Sequence, residues 1–401
     1  MRFAILLTAL TLTAHAQWTL QNSGTTASLR GIHALSPQMA WASGTGGTVL
    51  RTEDGGRTWQ HCTTPPNAEK LDFRGVQAVD AATAIVMSSG KGDLSRLYKT
   101  NDSCKTWQLI ATNRDPDGFW DALILESPQL GWVLGDPVNG HFMVMTLSVS
   151  PTGATLRNDC EFPEDHAQGS PGGDCSGTLK ADPATAGAFA ASNSSFFVMR
   201  HAAQTQFGPP LPPGATPHLS WINLQFFVTG GTSGAKWCER KGFSGGDVIP
   251  QLSWQCQPIS VGTSTEGSGA FSIFFNEQHA GVIVGGDYQH PDASANTAVY
   301  GHADFQKGTP TTWQPVQTPP HGYRSAVAYD STAKTWITVG PNGTDISTDD
   351  GHNWSALKPG TNDPADADQH WNALSLPFVV GSKGRIGLLQ ADRLKPPPSS
   401  H

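Results

Sequence analysis

The apolar positions of this chain fall in short runs, each closed by a glycine or a cluster of turn-forming residues. That is the pattern of many strands rather than of long helices. One recurring run is an apolar strand ending in a turn: Ala40-Trp-Ala-Ser-Gly44, Ala84-Ile-Val-Met-Ser88, Gly131-Trp-Val-Leu-Gly135, Phe226-Phe-Val-Thr-Gly230, Gly281-Val-Ile-Val-Gly285, Thr335-Trp-Ile-Thr-Val-Gly340 and Pro377-Phe-Val-Val-Gly381. Upstream of each lies a run that mixes small with apolar residues, as a strand packed near a central axis requires. Leu29-Arg30-Gly-Ile-His-Ala, Phe73-Arg74-Gly-Val-Gln-Ala, Phe119-Trp120-Asp-Ala-Leu-Ile, Tyr323-Arg324-Ser-Ala-Val-Ala and His370-Trp371-Asn-Ala-Leu-Ser align without gaps. Weaker copies start at Gly187-Ala-Phe-Ala-Ala and Gly269-Ala-Phe-Ser-Ile.

A third strand such as Thr48-Val-Leu-Arg follows each glycine turn, and then a strand opened by tryptophan. Trp59, Trp107, Trp254 and Trp313 are each followed by Gln, while Trp354 and Trp18 stand at matching places. Four short antiparallel strands repeated seven times predict an all-β fold: a seven-bladed β-propeller of four-stranded antiparallel blades. The last unit lacks a tryptophan strand after Arg385-Ile-Gly-Leu-Leu389, and Trp18-Thr-Leu-Gln supplies it. Pairing the two ends in one blade closes the ring and removes its free edges. The unit around Gly187 is irregular, with Gly208-Pro-Pro-Leu-Pro-Pro-Gly214 set in its expected second strand. The third unit has no tryptophan strand and carries an insertion from Cys160 to Cys175.

Three turns share the template Ser/Thr-x-Asp-x-Gly-x-x-Trp: Thr52, Asp54, Gly56 and Trp59; Thr100, Asp102, Cys104 and Trp107; Ser347, Asp349, Gly351 and Trp354. The hydroxyl and carboxylate can accept turn amides, and glycine can take φ > 0. Cys104 replaces that glycine in the second copy. The template resembles the Asp-box, or BNR repeat, of sialidase-type and assembly-factor-type propellers. With Trp132-Val-Leu-Gly-Asp136-Pro, Gly285-Gly-Asp-Tyr288 and the Tyr323 run, the chain resembles exported bacterial relatives of photosystem II stability/assembly factors. The resemblance implies that the Asp-boxes are fold elements between third and fourth strands, and that the family works by binding protein partners.

Address and charge narrow the function. Met1-Arg2, the apolar run Phe3 to Leu12 and Ala14-His-Ala16 read as a secretory signal peptide over residues 1–16. The propeller is then expected over residues 17–393, with a flexible tail at 394–401, in a secreted or periplasmic monomer. No other run is long and apolar enough to span a bilayer. A net charge of −8 argues against nucleic acid and anionic membranes. Six cysteines in an exported chain permit disulfides, with Cys160 to Cys175, Cys238 to Cys256, and Cys62 to Cys104 as the pairing by proximity.

Candidate chemistry is sparse. Gly242-Phe-Ser244-Gly-Gly246 matches G-x-S-x-G, but no helical pattern follows it. The Cys160–Cys175 loop gathers four carboxylates, open to a calcium reading or to a solvated, disulfide-closed insertion. No cofactor fingerprint or metal-site spacing occurs. What remains is the face around the axis, where inner strands start and second strands turn. It is expected to gather Arg30, Arg74, Trp120, Asp121, Asp136, Asp287, Tyr288, Arg324, Trp371 and Lys383. Arginines with aromatics favour a protein or peptide partner. The alternative is a glycan-active, sialidase-like hydrolase using Asp121, Asp136 and Asp287, although the chain lacks the Arg-Ile-Pro segment of sialidases.

Overall fold

The computed structural model describes residues 18–158, 179–204, 219–242, 252–304, 311–359, 364–390 and 394. Among these residues the strands form seven sheets of four, all antiparallel. The first strand, β1 (Trp18–Gln21), belongs to the last blade. Blade 1 runs β2 (Leu29–Ala34), β3 (Ala40–Gly44), β4 (Val49–Thr52) and β5 (Gln60–His61). Blade 2 runs β6 (Phe73–Ala78), β7 (Ala84–Ser88), β8 (Arg96–Thr100) and β9 (Gln108–Thr112). Blade 3 runs β10 (Trp120–Leu125), β11 (Leu130–Val138), β12 (His141–Ser150) and β13 (Gly153–Asn158). Blade 4 runs β14 (Phe196–Gln204), β15 (Leu219–Val228), β16 (Lys236–Gly242) and β17 (Leu252–Pro258). Blade 5 runs β18 (Ser268–Phe275), β19 (Ala280–Asp287), β20 (Ala298–His302) and β21 (Gln314–Pro315). Blade 6 runs β22 (Ala326–Asp330), β23 (Thr335–Gly340), β24 (Gly343–Ser347) and β25 (Ser355–Ala356). Blade 7 takes β26 (Trp371–Ser375), β27 (Phe378–Gly381) and β28 (Ile386–Leu389), with β1 outermost.

Ring closure is a register of four pairs, from Trp18 with Leu389 to Gln21 with Ile386. Trp18 is 2 % exposed, and its Nε1 donates to Thr344 Oγ1 of blade 6 at 2.9 Å. The closing strand is thereby tied across a blade boundary as well as along its own sheet. The core has the same logic. Seven apolar clusters each join two neighbouring blades: Trp41 and Val49 of blade 1 meet Phe73 and Tyr98 of blade 2, and Trp59 of blade 1 meets Phe378 of blade 7 edge-on at 5.7 Å. A blade alone would leave both sheet faces in water, so the ring is the smallest unit that buries them.

The three template turns have one hydrogen-bond pattern and lie between third and fourth strands. Gly56 N, Cys104 N and Gly351 N donate to the hydroxyls of Thr52, Thr100 and Ser347 at 2.9, 3.1 and 3.0 Å. The carboxylates of Asp54, Asp102 and Asp349 accept the amide four residues on, each at 3.0 Å. The Thr58 hydroxyl and amide hold Asp54 down at about 2, and Thr106 does the same for Asp102. These carboxylates are fully engaged in holding their own turns.

Cys104 keeps the left-handed backbone of the glycine it replaces, with φ of +61° against +79° at Gly56 and +85° at Gly351. Its sulfur bonds Cys62, so a disulfide staples the blade 2 turn to the chain leaving blade 1. Cys238 and Cys256 face each other across β16 and β17 and form the second bond. Cys160, Cys175, the 1–16 segment, Ser244, Gly246 and the Gly208–Gly214 run lie outside the described residues. The inner strand of blade 4 starts at Phe196 rather than at Gly187. Leu394, assigned to the tail, is 3 % exposed and packs in the cluster that contains Trp18 and Trp371.

Candidate functional site

Five inner strands begin with the same irregularity: one extra residue, unpaired, between two ladder pairs. The bulges fall between Leu29 and Gly31, Phe73 and Gly75, Trp120 and Ala122, Ala270 and Ser272, and Trp371 and Ala373. A bulge re-aims its extra residue. The residues thus released are Arg30, Arg74, Asp121, Phe271 and Asn372, and all five line one cavity of about 660 Å³ at the axis. Ser325, just ahead of β22, lines it for blade 6. Glycine at the end of four of the opposing second strands has a reason too, since a β-carbon at Gly44, Gly135, Gly285 or Gly381 would collide with the carbonyl just before the bulge.

This geometry corrects the gapless alignment. Arg324 is not equivalent to Arg30 and Arg74. A β-carbon at Gly340 would strike the Tyr323 carbonyl as one at Gly44 would strike that of Ser28, so Arg324 matches Leu29. One step along a strand changes face, and Arg324 points into the blade, 0 % exposed. Its Nε donates to Asp345 Oδ2 at 2.8 Å, its Nη1 to the Tyr323 carbonyl at 2.8 Å and to Asn342 Oδ1 at 2.5 Å. Trp120 slips likewise into the core between blades 2 and 3, and Trp371 forms cavity wall while itself buried.

The cavity has a floor made by chain rather than by strands. The segment from Gly187 to Ser195 crosses the axis ahead of β14 and is bonded to four blades. Arg74 Nη1 donates to the Ala190 carbonyl at 3.3 Å, and Ala188 N donates to Asp136 Oδ1 at 2.8 Å. Asn193 spans the Leu123 backbone, accepting its N–H at 2.7 Å and donating to its carbonyl at 2.8 Å. Ser192 donates to the Ser325 carbonyl at 2.6 Å, and Ser194 to Ser272 Oγ at 2.7 Å. Phe189 of this segment stacks on Phe271 at 3.9 Å, and Tyr323 meets Phe271 edge-on at 4.7 Å. Tyr288, 49 % exposed, stands over the same group.

The wall is therefore divided. Blades 1 and 2 present two guanidinium groups around one carboxylate. Arg74 Nε donates to Asp72 Oδ2 at 2.8 Å; Arg30 Nε stands 3.3 Å from the same oxygen, an ion pair without hydrogen-bond alignment. Blade 3 presents Asp121 and Asp136. Asp121 is 0 % exposed, and among the described residues no protein group donates to either of its oxygens. Burial, and then the Asp136 carboxylate, push Asp121 well above the usual carboxylate range, against the pull of the Arg74 guanidinium. Burial also pushes Asp136 up to about 6, against the Ala188 N–H and Asp121. Blades 5 and 6, with Phe189, present the aromatic side.

No family model and no curated protein matches this chain. Solved structures do. One described as YCF48 bound to D1 peptide superposes with a TM-score of 0.54 at 14 % identity, covering 94 % of this chain and 97 % of that one. Another, YCF48 from Cyanidioschyzon merolae, gives 0.55 at 15 % identity over 94 % and 99 %. The chain has the fold of YCF48. At this identity YCF48 supports the propeller and leaves the side chains to be judged by their own geometry.

Two further expected face residues, besides Arg324 and Trp120, lie outside the cavity. Asp287 is 5 % exposed and occupied: it accepts Thr265 Oγ1 at 3.0 Å and Gln289 N at 2.9 Å, and faces His290 Nδ1 at 3.0 Å. Lys383 sits in the turn between β27 and β28 and borders a separate groove with Leu20 and Asn22. Arg30, Arg74, Asp121, Asp136, Tyr288 and Trp371 are brought together in the cavity. Phe189, Phe271 and Tyr323 join them, although the sequence shows them only as apolar strand positions.

Proposed function

We propose that this chain is an exported, non-enzymatic propeller that binds a protein or peptide segment in its central cavity. The observation that carries the reading is the divided wall: Arg30 and Arg74 share a single carboxylate, Asp72, and face the Phe189, Phe271, Tyr288 and Tyr323 group across a blind cavity. Such a wall offers a positive subsite for an acidic or terminal carboxylate and an apolar one for a neighbouring side chain. A YCF48 propeller of the same fold takes a D1 peptide, which supports a peptide in this cavity. Export rests on the leader-like residues 1–16 and agrees with the two disulfides among the described residues. Among the described residues no helix is long and apolar enough to cross a membrane.

Glycoside hydrolysis fits less well. It requires two carboxyls set apart across a sugar, about 5 to 9 Å, whereas Asp121 and Asp136 are immediate electrostatic neighbours in blade 3 and Asp287 is not in the cavity lining. Selection of displayed peptides against the folded protein tests the proposal. The expected outcome is binders enriched in acidic residues next to apolar ones, lost in the Arg30→Ala/Arg74→Ala variant. Binders indifferent to both substitutions would reject the central cavity as the site.

A further inference from the structure

The Asp121 and Asp136 pair is the part of the cavity that peptide binding by Arg30 and Arg74 does not explain. A fully buried carboxyl with no hydrogen-bond donor is destabilising unless it holds a proton or does something with it. Here the placement is specific. Asp121 is the bulged residue of β10, delivered to the axis by the same device that delivers Arg30 and Arg74. Asp136 lines the cavity beside it, fixed in place by the Ala188 N–H. The segment passes so close that a β-carbon at Gly187 would stand 3.0 Å from Asp136 Oδ1.

We infer that the Asp121–Asp136 pair makes anion capture in this cavity proton-linked: an anionic ligand group entering beside Arg30 and Arg74 is bound together with a proton taken up by the pair. This deepens the peptide-binding reading and rests on it. The groups that face the pair fix the sign. Arg74 and Arg30 bring two positive charges from blades 2 and 1, and Asp72 cancels one. Glu266, Tyr288 and Tyr323 line the far side, and the crossing residues 183–191 carry no ionisable side chain. With one proton on the pair, the remaining negative charge of Asp136 opposes an incoming carboxylate. With two, that repulsion is gone and a carboxylic O–H is available as a donor. The bond formed is the second O–H on the pair, the proton comes from solvent, and no other group changes. Burial, which already pushes Asp136 up to about 6, puts this uptake in mildly acidic solution.

The probe is a capped tetrapeptide alternating phenylalanine with cysteic acid, whose sulfonates keep constant charge in neutral and mildly acidic solution. Its affinity for the full mature chain, measured by calorimetry, is expected to fall roughly tenfold between about pH 5.5 and about pH 7.5. Calorimetry in buffers of different ionisation enthalpy should show net proton uptake of less than one per ligand. Asp136→Asn, which keeps an oxygen for the Ala188 N–H, should bind with a flat pH profile near the low-pH affinity. Asp121→Asn, which keeps a neutral group beside Asp136, should retain the pH dependence with its midpoint little changed. Binding by the native chain that is flat with pH, with no proton uptake, overturns this inference and leaves the peptide-binding reading standing. No binding at any pH sinks both.

Discussion

Arg30 and Arg324 stand one register position apart in their blades. Arg30 is the bulged residue of β2 and faces the axis; Arg324 occupies the place of Leu29 and faces inward to Asp345. Two residues that look alike in sequence thus have opposite work. Arg324→Ala would leave Asp345, 2 % exposed in its side chain, without its main partner. Removing one member of such a buried pair costs about 3–5 kcal/mol. Urea unfolding should show that loss for Arg324→Ala and a change below about 1 kcal/mol for Arg74→Ala, which is partly solvated. Peptide capture should show the reverse order.

Asn193 is the pin of the crossing segment, holding both main-chain groups of Leu123 while its own φ is +61°. Asn193→Ala strands two buried backbone groups in blade 3 and leaves in a left-handed conformation a residue without the polar side chain that makes it tolerable for asparagine. A loss of about 2–4 kcal/mol follows. Amide hydrogen exchange should show faster opening at Leu123 and along residues 187–195. Unchanged protection there would mean that the segment is held without Asn193.

Closure of the ring predicts a long-range effect from the N-terminal strand. Trp18→Ala deletes a buried indole shared by blades 6 and 7 and its bond to Thr344, a loss of about 3–5 kcal/mol. Thermal unfolding should move down as a single transition, because each cluster belongs to two blades. A separate early transition confined to blade 7 would contradict that coupling.

The Cys104 turn allows a sharper test than deleting the disulfide. In a Cys62→Ala background, Cys104→Gly restores the residue of the other two turns, whereas Cys104→Ala keeps a β-carbon at φ +61°. The glycine variant should be the more stable by about 1 kcal/mol in denaturant unfolding. Equal stabilities would show that the left-handed conformation is relaxed once the sulfur is gone.

Stability should also carry the signature of the buried carboxyls. Asp136 and Asp368 are each pushed up to about 6 by burial. A carboxyl that titrates higher in the folded chain holds extra protons when folded. Its contribution is whole below the ordinary carboxylate value and is lost as pH climbs through about 6. The melting temperature should therefore rise on going from neutral pH to about pH 5, and rise less in Asp136→Asn. A melting temperature that falls over this range would show that these groups are solvated.

The fold was legible because its signal repeats: each blade states the same apolar, small and turn residues, and a missing fourth strand at one end was matched by Trp18 at the other. The site was legible only in part, because a bulge inserts a residue without changing composition. Aligning the runs on their first residues placed Arg324 beside Arg30. Aligning them on the small residue just after the bulge, namely Gly31, Gly75, Ala122, Ser272 and Ala373, and in blade 6 on Ala326 just after Ser325, gives the observed register. The crossing segment was hidden for a different reason. Gly187-Ala-Phe-Ala-Ala has the small and apolar mix of an inner strand, and its bonds reach partners in blades 2, 3, 5 and 6 that no local pattern names.

The central claim is that a peptide segment lies in the cavity between the Arg30/Arg74 side and the aromatic side. The most direct measurement is hydrogen exchange, read by mass spectrometry, on the complex with the strongest peptide selected against the folded chain. Protection is expected over residues 29–31, 73–75, 187–191 and 323–325, and it should vanish with Arg30→Ala/Arg74→Ala. Protection confined to the rim turns Thr52 to Trp59 and Ser347 to Trp354, with the cavity segments unchanged, would contradict the account.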